Sequence, residues 1–281
     1  MKINEPLEIT GYHDSVFSPS MNITKPKWLL CFDFDGTFID PNSSTEVVPD
    51  LMNSLEELRS RGAVFAINTG RSLIEAMEGM NRCRLRGIPD YLIAWEREIY
   101  QPNQFGRWID YGNWNKKCRK DHLKLFKRNR KFLDRIKHFV EEQSKAKWVA
   151  NSDEPAAIIA TSDQEMDQLC DLIQKEIIGS APKNLSYERN SIYLRFAHSN
   201  YNKGTAAASL GEMIGVPPTN TFVIGDNHND LTMLDKKIAS MIACPANSVQ
   251  SVKNKVQKQG GYIASQNSGL GVAEAISHFF N

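Results

Sequence analysis

One stretch constrains this chain more than any other. It is Trp28-Leu29-Leu30-Cys31-Phe32-Asp33-Phe34-Asp35-Gly36-Thr37, an apolar run that stops abruptly at two carboxylates one residue apart. A continuous apolar run closed by a turn residue reads as a strand buried on both faces, the kind found in parallel sheets. Ligands of open α/β sheets bind just beyond the carboxyl ends of such strands. Asp33 and Asp35 fall at that end. Side chains at i and i+2 point to the same side, so both carboxylates can face one site, while Gly36 allows a close backbone turn. Two acids held together repel, so they either belong to a solvated turn or hold something between them.

The segments that follow favour the second reading. Pro49 suits a first helical turn, Leu51, Leu55 and Leu58 recur at helical spacing, and Gly62 stops the helix. Ala63-Val64-Phe65-Ala66-Ile67 is then a second buried strand, ending in Asn68-Thr69-Gly70-Arg71-Ser72, where Ser72 and Glu75 form a capping box for the next helix. A right-handed βαβ crossover carries the end of this strand to the end of the first. The Thr69 hydroxyl and the backbone N–H groups at Gly70 and the helix start then suit an anionic oxygen.

A strand over Tyr91–Ala94 follows, then short runs at Glu98–Tyr100 and Arg107–Ile109 around Pro102 and Gly106, which predict a hairpin. The segment Lys116–Lys137 carries eleven basic and two acidic residues, with Leu123, Phe126, Leu133, Ile136 and Val140 spaced as the buried stripe of a helix. Its charge fits a solvated face, attraction of an anionic substrate, or a nucleic-acid surface. Strands at 147–150 and 156–161, a helix over 163–178 and strands near 185–187 and 192–196 extend this α+β unit. The doubly wound pattern resumes with Lys203-Gly204, a helix through Met213, and the buried strand Thr221-Phe222-Val223-Ile224. That strand ends in Gly225-Asp226-Asn227-His228-Asn229-Asp230. Short strands over 239–243 and 262–264 and a helix over 269–280 close the chain.

The predicted fold class is therefore α/β, a doubly wound Rossmann-like parallel sheet core with an inserted α+β domain. The expected division is an N-terminal arm over 1–27, a core over 28–96 and 198–281, and an inserted cap over 97–197. Three strand ends bring Asp33 and Asp35, Thr69, and Asp226 with Asp230 to one crevice. All-oxygen ligands of this kind suit a hard divalent cation, Mg²⁺ before Mn²⁺ or Ca²⁺, which keeps positions open for a phosphoryl oxygen.

In this order DFDGT, NTGRS, the Lys203-Gly204 helix start and GDNHND resemble the four motifs of haloacid dehalogenase-like phosphohydrolases. The insertion resembles the α/β cap of the branch holding sucrose-phosphate phosphatases, Cof-type sugar phosphatases, mannosylphosphoglycerate phosphatases and eukaryotic-type phosphomannomutases. The resemblance implies that Asp33 attacks phosphorus and that Asp35 protonates the leaving alkoxide and later deprotonates water. Thr69, Gly70 and Lys203 would bind the phosphoryl group, with Lys203 offsetting negative charge. Mg²⁺ would be held by Asp33, the backbone carbonyl of Asp35, Asp226 and Asp230. His228 is set aside as a base because an acid is already in place, and Asn229 is expected to orient a neighbour. Two departures stand out: Ala94-Trp95-Glu96-Arg97-Glu98 occupies a stretch where relatives carry small residues, Asn and Gly, and Asn227 replaces a common Gly.

The function expected is a Mg²⁺-dependent phosphatase of a small phosphorylated metabolite, most simply a sugar phosphate, working through an aspartyl-phosphate. A phosphomutase with the same aspartate pair and a binding protein using the basic helix remain open. Composition narrows the partners: a net charge of +1 over 281 residues argues against nucleic-acid binding by the chain as a whole. Five cysteines without a CxxC pair, no apolar run of membrane-spanning length and no apolar leader segment lead to an expected cytoplasmic location without membrane contact.

Overall fold

The computed structural model describes residues 25–40, 46–85, 89–151, 154–180 and 182–280. All but the last three residues of the expected arm lie outside them. The first strand, β1 (Trp28–Phe32), leads into α1 (Pro49–Ser60), β2 (Ala63–Asn68), α2 (Leu73–Arg82), β3 (Tyr91–Ala94), β4 (Glu98–Pro102) and β5 (Trp108–Asp110). Next come α3 (Trp114–Gln143), β6 (Lys147–Val149), β7 (Ala157–Ile159), α4 (Asp163–Ser180), β8 (Leu185–Asn190) and β9 (Tyr193–His198). The chain closes with α5 (Lys203–Ile214), β10 (Thr221–Ile224), β11 (Met241–Cys244), α6 (Gln250–Lys258), β12 (Tyr262–Ile263) and α7 (Ser268–Phe280).

Eight strands form one sheet in the order β12-β11-β10-β1-β2-β3-β4-β5. The pairings from β12 to β3 are parallel, and the hairpin β4–β5 adds two antiparallel strands at the edge. The run Trp28–Phe32 alternates between two cores: Leu30 and Phe32 pack with α1, α2 and α7, and Leu29 and Cys31 pack with α5 and α6. Helices on both faces explain why this strand is apolar at every position. β1 lies between β2 and β10, so the ends of all three, carrying Asp33, Thr69 and Asp226, meet at one edge of the sheet. Each of these strands is separated from β1 by a crossover, which is why residues distant in sequence become neighbours there.

The second sheet is antiparallel, in the order β6-β7-β9-β8, and packs against α3 and α4 around Ile136, Val140, Ile158, Met166, Leu169 and Phe196. Two expectations change. The hairpin Glu98–Asp110 belongs to the larger sheet and not to the cap side of residue 96, because β4 hydrogen-bonds to β3 in register with Leu92, Ile93 and Ala94. Of the expected stripe of α3, Leu133, Ile136 and Val140 are buried and Phe126 is partly buried, but Leu123 is 72% exposed, and Cys118, His122, Leu125 and Phe132 complete the buried face. Arg119 from the basic stretch is taken up internally: it ion-pairs with Glu98 at 2.8 Å and with Asp110 at 2.8 Å, fastening α3 to the β4–β5 hairpin.

Candidate active site

Asp33 follows β1, 5% exposed, its N–H held by the Ile224 carbonyl at 3.0 Å. The fully buried Lys203 ammonium donates to Asp33 Oδ1 and, at 2.6 Å, to Asp230 Oδ1. Lys203 sits at the first turn of α5, whose Asn202 and Thr205 make a reciprocal capping box that fixes where the helix begins. The other oxygen of Asp230 accepts the N–H groups of Asp226 and Asn227, each at 2.9 Å, and so shapes the turn after β10. The Thr37 hydroxyl donates to Asp226 Oδ1 at 2.6 Å, a contact the sequence reading missed. Asp33, Asp226 and Asp230 each offer a carboxylate oxygen within 4.8 Å of the others.

Two glycines are required by this geometry. Gly36 has φ +83°, and a Cβ there would lie 2.6 Å from Asp226 Oδ2. A Cβ on Gly225 would lie 2.3 Å from Asp230 Cγ. Each therefore lets backbone pass against a carboxylate.

Burial and the neighbouring Asp230 carboxylate push Asp33 well above the ordinary aspartate range, with Lys203 opposing. The same two causes raise Asp226 to about 6, against the Thr37 hydrogen bond. Burial works against the charge on Lys203, but Asp230 and Asp33 outweigh it and its pKa rises. Three carboxylates thus surround a single ammonium, a cluster short of positive charge. An oxygen-only donor set in that state fits a divalent hard cation, so the residues present suit Mg²⁺.

Asp35 lines the same cavity as Asp33, as the spacing of the two carboxylates leads one to expect. Its side chain stands apart from the metal-type cluster and meets Arg71 in a bidentate ion pair, Nε to Oδ2 at 2.7 Å and Nη2 to Oδ1 at 2.6 Å. Arg71 itself packs over the Phe34 ring. Thr69 is 1% exposed, its Oγ1 accepting the Arg71 N–H at 3.2 Å, and lies with Gly70 on the wall of the cavity above Asp33. The capping box of Ser72 and Glu75 is formed as expected. His228 bonds to Asn227 and stays outside this cavity.

The cavity, about 290 Å³, is lined from the larger sheet by Asp33, Asp35, Thr69, Arg71 and Glu96, and from the smaller sheet by Glu188, Asn190, Tyr193 and Arg195. Trp95 and Glu96 take successive left-handed conformations, φ 54° and 61°, at the positions where the sequence departs from Asn and Gly. That turn aims the buried Glu96 carboxylate at Asn229 Nδ2, 2.8 Å away, and at Arg195 Nη2 of β9, 2.6 Å away. Arg195 also reaches the carbonyls of Gly70 and Trp95 and ion-pairs with Glu154 at 3.3 Å. Glu96, Arg195 and Arg71 were not singled out from sequence; the unusual Trp95-Glu96-Arg97 segment was the signal available.

A parallel sheet presenting Asp33, Thr69, Lys203 and Asp226 beneath an inserted α+β layer defines a haloacid dehalogenase-like phosphohydrolase, an enzyme that hydrolyses phosphate esters. The model of the sucrose-6F-phosphate phosphohydrolase family matches residues 26–280, and the chain belongs to that family. The putative phosphatase YxeH of Bacillus subtilis (strain 168) is 23% identical over 269 residues, covering 88% of this chain and 96% of its own. The sucrose-phosphatase of Synechocystis sp. PCC6803, solved with sucrose and phosphate, superposes with a TM-score of 0.68 at 20% identity, covering 90% of this chain and 98% of that one. The subclass IIB sugar phosphatase BT4131 gives a TM-score of 0.60 at 15% identity over 90% of this chain and 98% of its own.

Proposed function

We propose that the chain is a Mg²⁺-dependent phosphatase of a sugar monophosphate, with Asp33 as nucleophile. The observation that carries this is the buried Asp33–Lys203–Asp230 arrangement beside Asp226 at the base of a cavity whose far wall is polar and acidic. Bound Mg²⁺ would supply Lewis-acid stabilisation of the phosphoryl oxygens and would be held by Asp33, Asp226, the Asp35 carbonyl and, directly or through water, Asp230. Lys203 favours the ionised form of Asp33 against the burial and the Asp230 charge that disfavour it, and offsets charge as the aspartyl-phosphate forms. Thr69 and the Gly70 N–H bind the transferring group. Asp35 would serve as acid to the departing sugar oxygen and as base to water in the second half, a cycle that needs one of its two Arg71 contacts to open so that the freed oxygen can carry the proton, the other contact keeping the carboxyl in place.

The wall toward the smaller sheet favours a phosphatase over a phosphomutase. A second phosphate needs free cations, and the two arginines lining the cavity, Arg71 and Arg195, are already paired with Asp35 and with Glu96 and Glu154. Burial and the nearby Glu96 raise Glu188 to about 8. Glu154, Glu188, Asn190 and Tyr193 offer hydrogen-bonding partners to neutral hydroxyls, in keeping with the sugar-directed relatives. The functional division we propose keeps the Glu98–Asp110 hairpin with the catalytic core and assigns the cap to the stretch from Trp114 to His198. No helix among the described residues is long and apolar enough to cross a membrane, and five unpaired thiols support a cytoplasmic setting.

A panel of hexose and disaccharide monophosphates and bisphosphates, assayed with Mg²⁺ and after chelation, tests this reading. Turnover of monophosphates that disappears on chelation is expected. Preference for bisphosphates, or net interconversion without phosphate release, would favour the mutase.

A further inference from the structure

Behind Trp95 lies a second, larger cleft of about 680 Å³, between the start of α2 and the outer face of α3. Its rim is apolar: Leu73, Ile74, Leu123, Phe126 and Phe196 line it, with Ile74 68% and Leu123 72% exposed. At this cleft sits Arg97, only 8% exposed. Its Nε has no hydrogen-bond partner, and Nη1 makes a single 3.3 Å bond to the Trp95 carbonyl. The neighbouring carboxylates are engaged elsewhere. Glu98 holds Arg119 and the Tyr100 hydroxyl, Glu96 holds Arg195 and Asn229, and Glu154 holds Arg195 and the Tyr193 hydroxyl. His122 is also occupied, with Nδ1 at 3.0 Å from the Cys118 carbonyl and Nε2 accepting the His198 N–H at 3.2 Å.

A buried guanidinium with one weak hydrogen bond is costly to maintain unless an anion completes it. Arg119 and Arg195 have direct carboxylate partners, so among the described residues Arg97 is the arginine of this cleft without a direct ion pair; Glu98 and Glu96 act on its charge only from a distance, and its guanidinium lies over the Trp95 ring. We propose that this cleft binds a small organic monoanion, a carboxylate bearing an apolar group, with the carboxylate on Arg97 and the apolar part against Leu73, Leu123 and Phe126. One guanidinium without a direct ion pair suits a carboxylate better than a phosphate dianion, because Glu75, Glu98 and Glu154 around the cleft disfavour each further negative charge. A cleft of several hundred Å³ that combines an apolar rim with a few polar groups, here Arg97 among side chains already paired with one another, is the usual form of a small-molecule site. The proposal rests on Arg97 and its surroundings and is independent of the phosphatase reading.

Benzoate is a suitable probe, with benzyl alcohol as its neutral counterpart and inorganic phosphate as a competitor for the catalytic cavity. Binding to the full chain is followed through the tryptophan indole N–H resonances. Saturable benzoate binding is expected, at least tenfold tighter than benzyl alcohol and undisturbed by inorganic phosphate. Arg97→Gln should weaken it at least tenfold. Leu123→Glu, a change at an exposed rim position that leaves the core untouched, should weaken it by a similar factor even if the arginine variant fails to fold. Absence of binding at tens of millimolar benzoate, equal affinity for benzyl alcohol, displacement by phosphate, or indifference to Leu123→Glu would each overturn the proposal.

Discussion

Breaking the Glu96–Arg195 pair should weaken the molecule where its two sheets meet. Both side chains are 4% exposed and their closest atoms are 2.6 Å apart, so the pair is a desolvated contact and not a surface bridge. Removing one partner of such a pair typically costs about 3–5 kcal/mol, because the other charge stays buried. Arg195→Met strands Glu96 on Asn229 alone and strips Glu154 of its cation, so it should fall in that range. At roughly 2–4 °C per kcal/mol for chains of around 200 residues, the melting temperature should drop by about 6–20 °C. Glu96→Gln leaves Arg195 with Glu154 and should cost less. The double variant should cost little more than Arg195→Met, giving a coupling of about 2 kcal/mol in a double-mutant cycle read by urea unfolding. Burial pulls the Glu96 pKa up, but Arg195, Lys203 and the Asn229 hydrogen bond together hold it below the ordinary value. The contribution is therefore complete above the unfolded-state glutamate pKa of about 4.3 and is lost as pH falls through the lower folded value. Additive single-site effects, with coupling under about 0.5 kcal/mol at pH 7, would refute the idea that this pair joins the two sheets.

Other outcomes follow from the same geometry. Asp35→Asn should slow hydrolysis of alkyl phosphates far more than that of p-nitrophenyl phosphate, whose leaving group needs little protonation; equal losses would remove the acid role. Burial lowers His122 to about 3, so its stabilising contribution is full above about pH 6.5 and declines as pH falls, by about 2 kcal/mol at pH 5. His122→Gln should flatten that part of the stability profile, and an unchanged slope would contradict the assignment. Lys124, Lys127, Arg128 and Lys131 are all exposed on α3, and reversing them to Glu should lower kcat/KM at low salt at most, leaving kcat unchanged. Salt-sensitive oligonucleotide binding at micromolar affinity that the reversal abolishes would instead support a nucleic-acid role.

The sequence carried the elements that obey a period. The run ending at Asp33, the Ser72–Glu75 box and the strand before Asp226 were legible because burial on both faces and helix capping leave marks within a few residues. Leu123 was misplaced because α3 is 30 residues long, and its apolar residues admit more than one stripe until the packing partner is known. The pairing of the 98–110 hairpin with β3 is not legible in the sequence because strand partners are not written in local composition. Arg71, Glu96 and Arg195 escaped notice for a different reason: their roles depend on partners 36 and 99 residues away. A left-handed Trp95-Glu96 turn is visible only in the backbone, and it is this turn that brings Glu96 into the cavity.

The most direct test of the account is to stop the enzyme with acid during steady turnover of a sugar monophosphate in Mg²⁺ and map phosphorylation by peptide mass spectrometry. The account predicts one phosphoryl group on the peptide carrying Asp33, and neither label nor turnover in Asp33→Asn, which preserves the side-chain volume. A phosphoryl group on another residue, or undiminished turnover in Asp33→Asn, would contradict it.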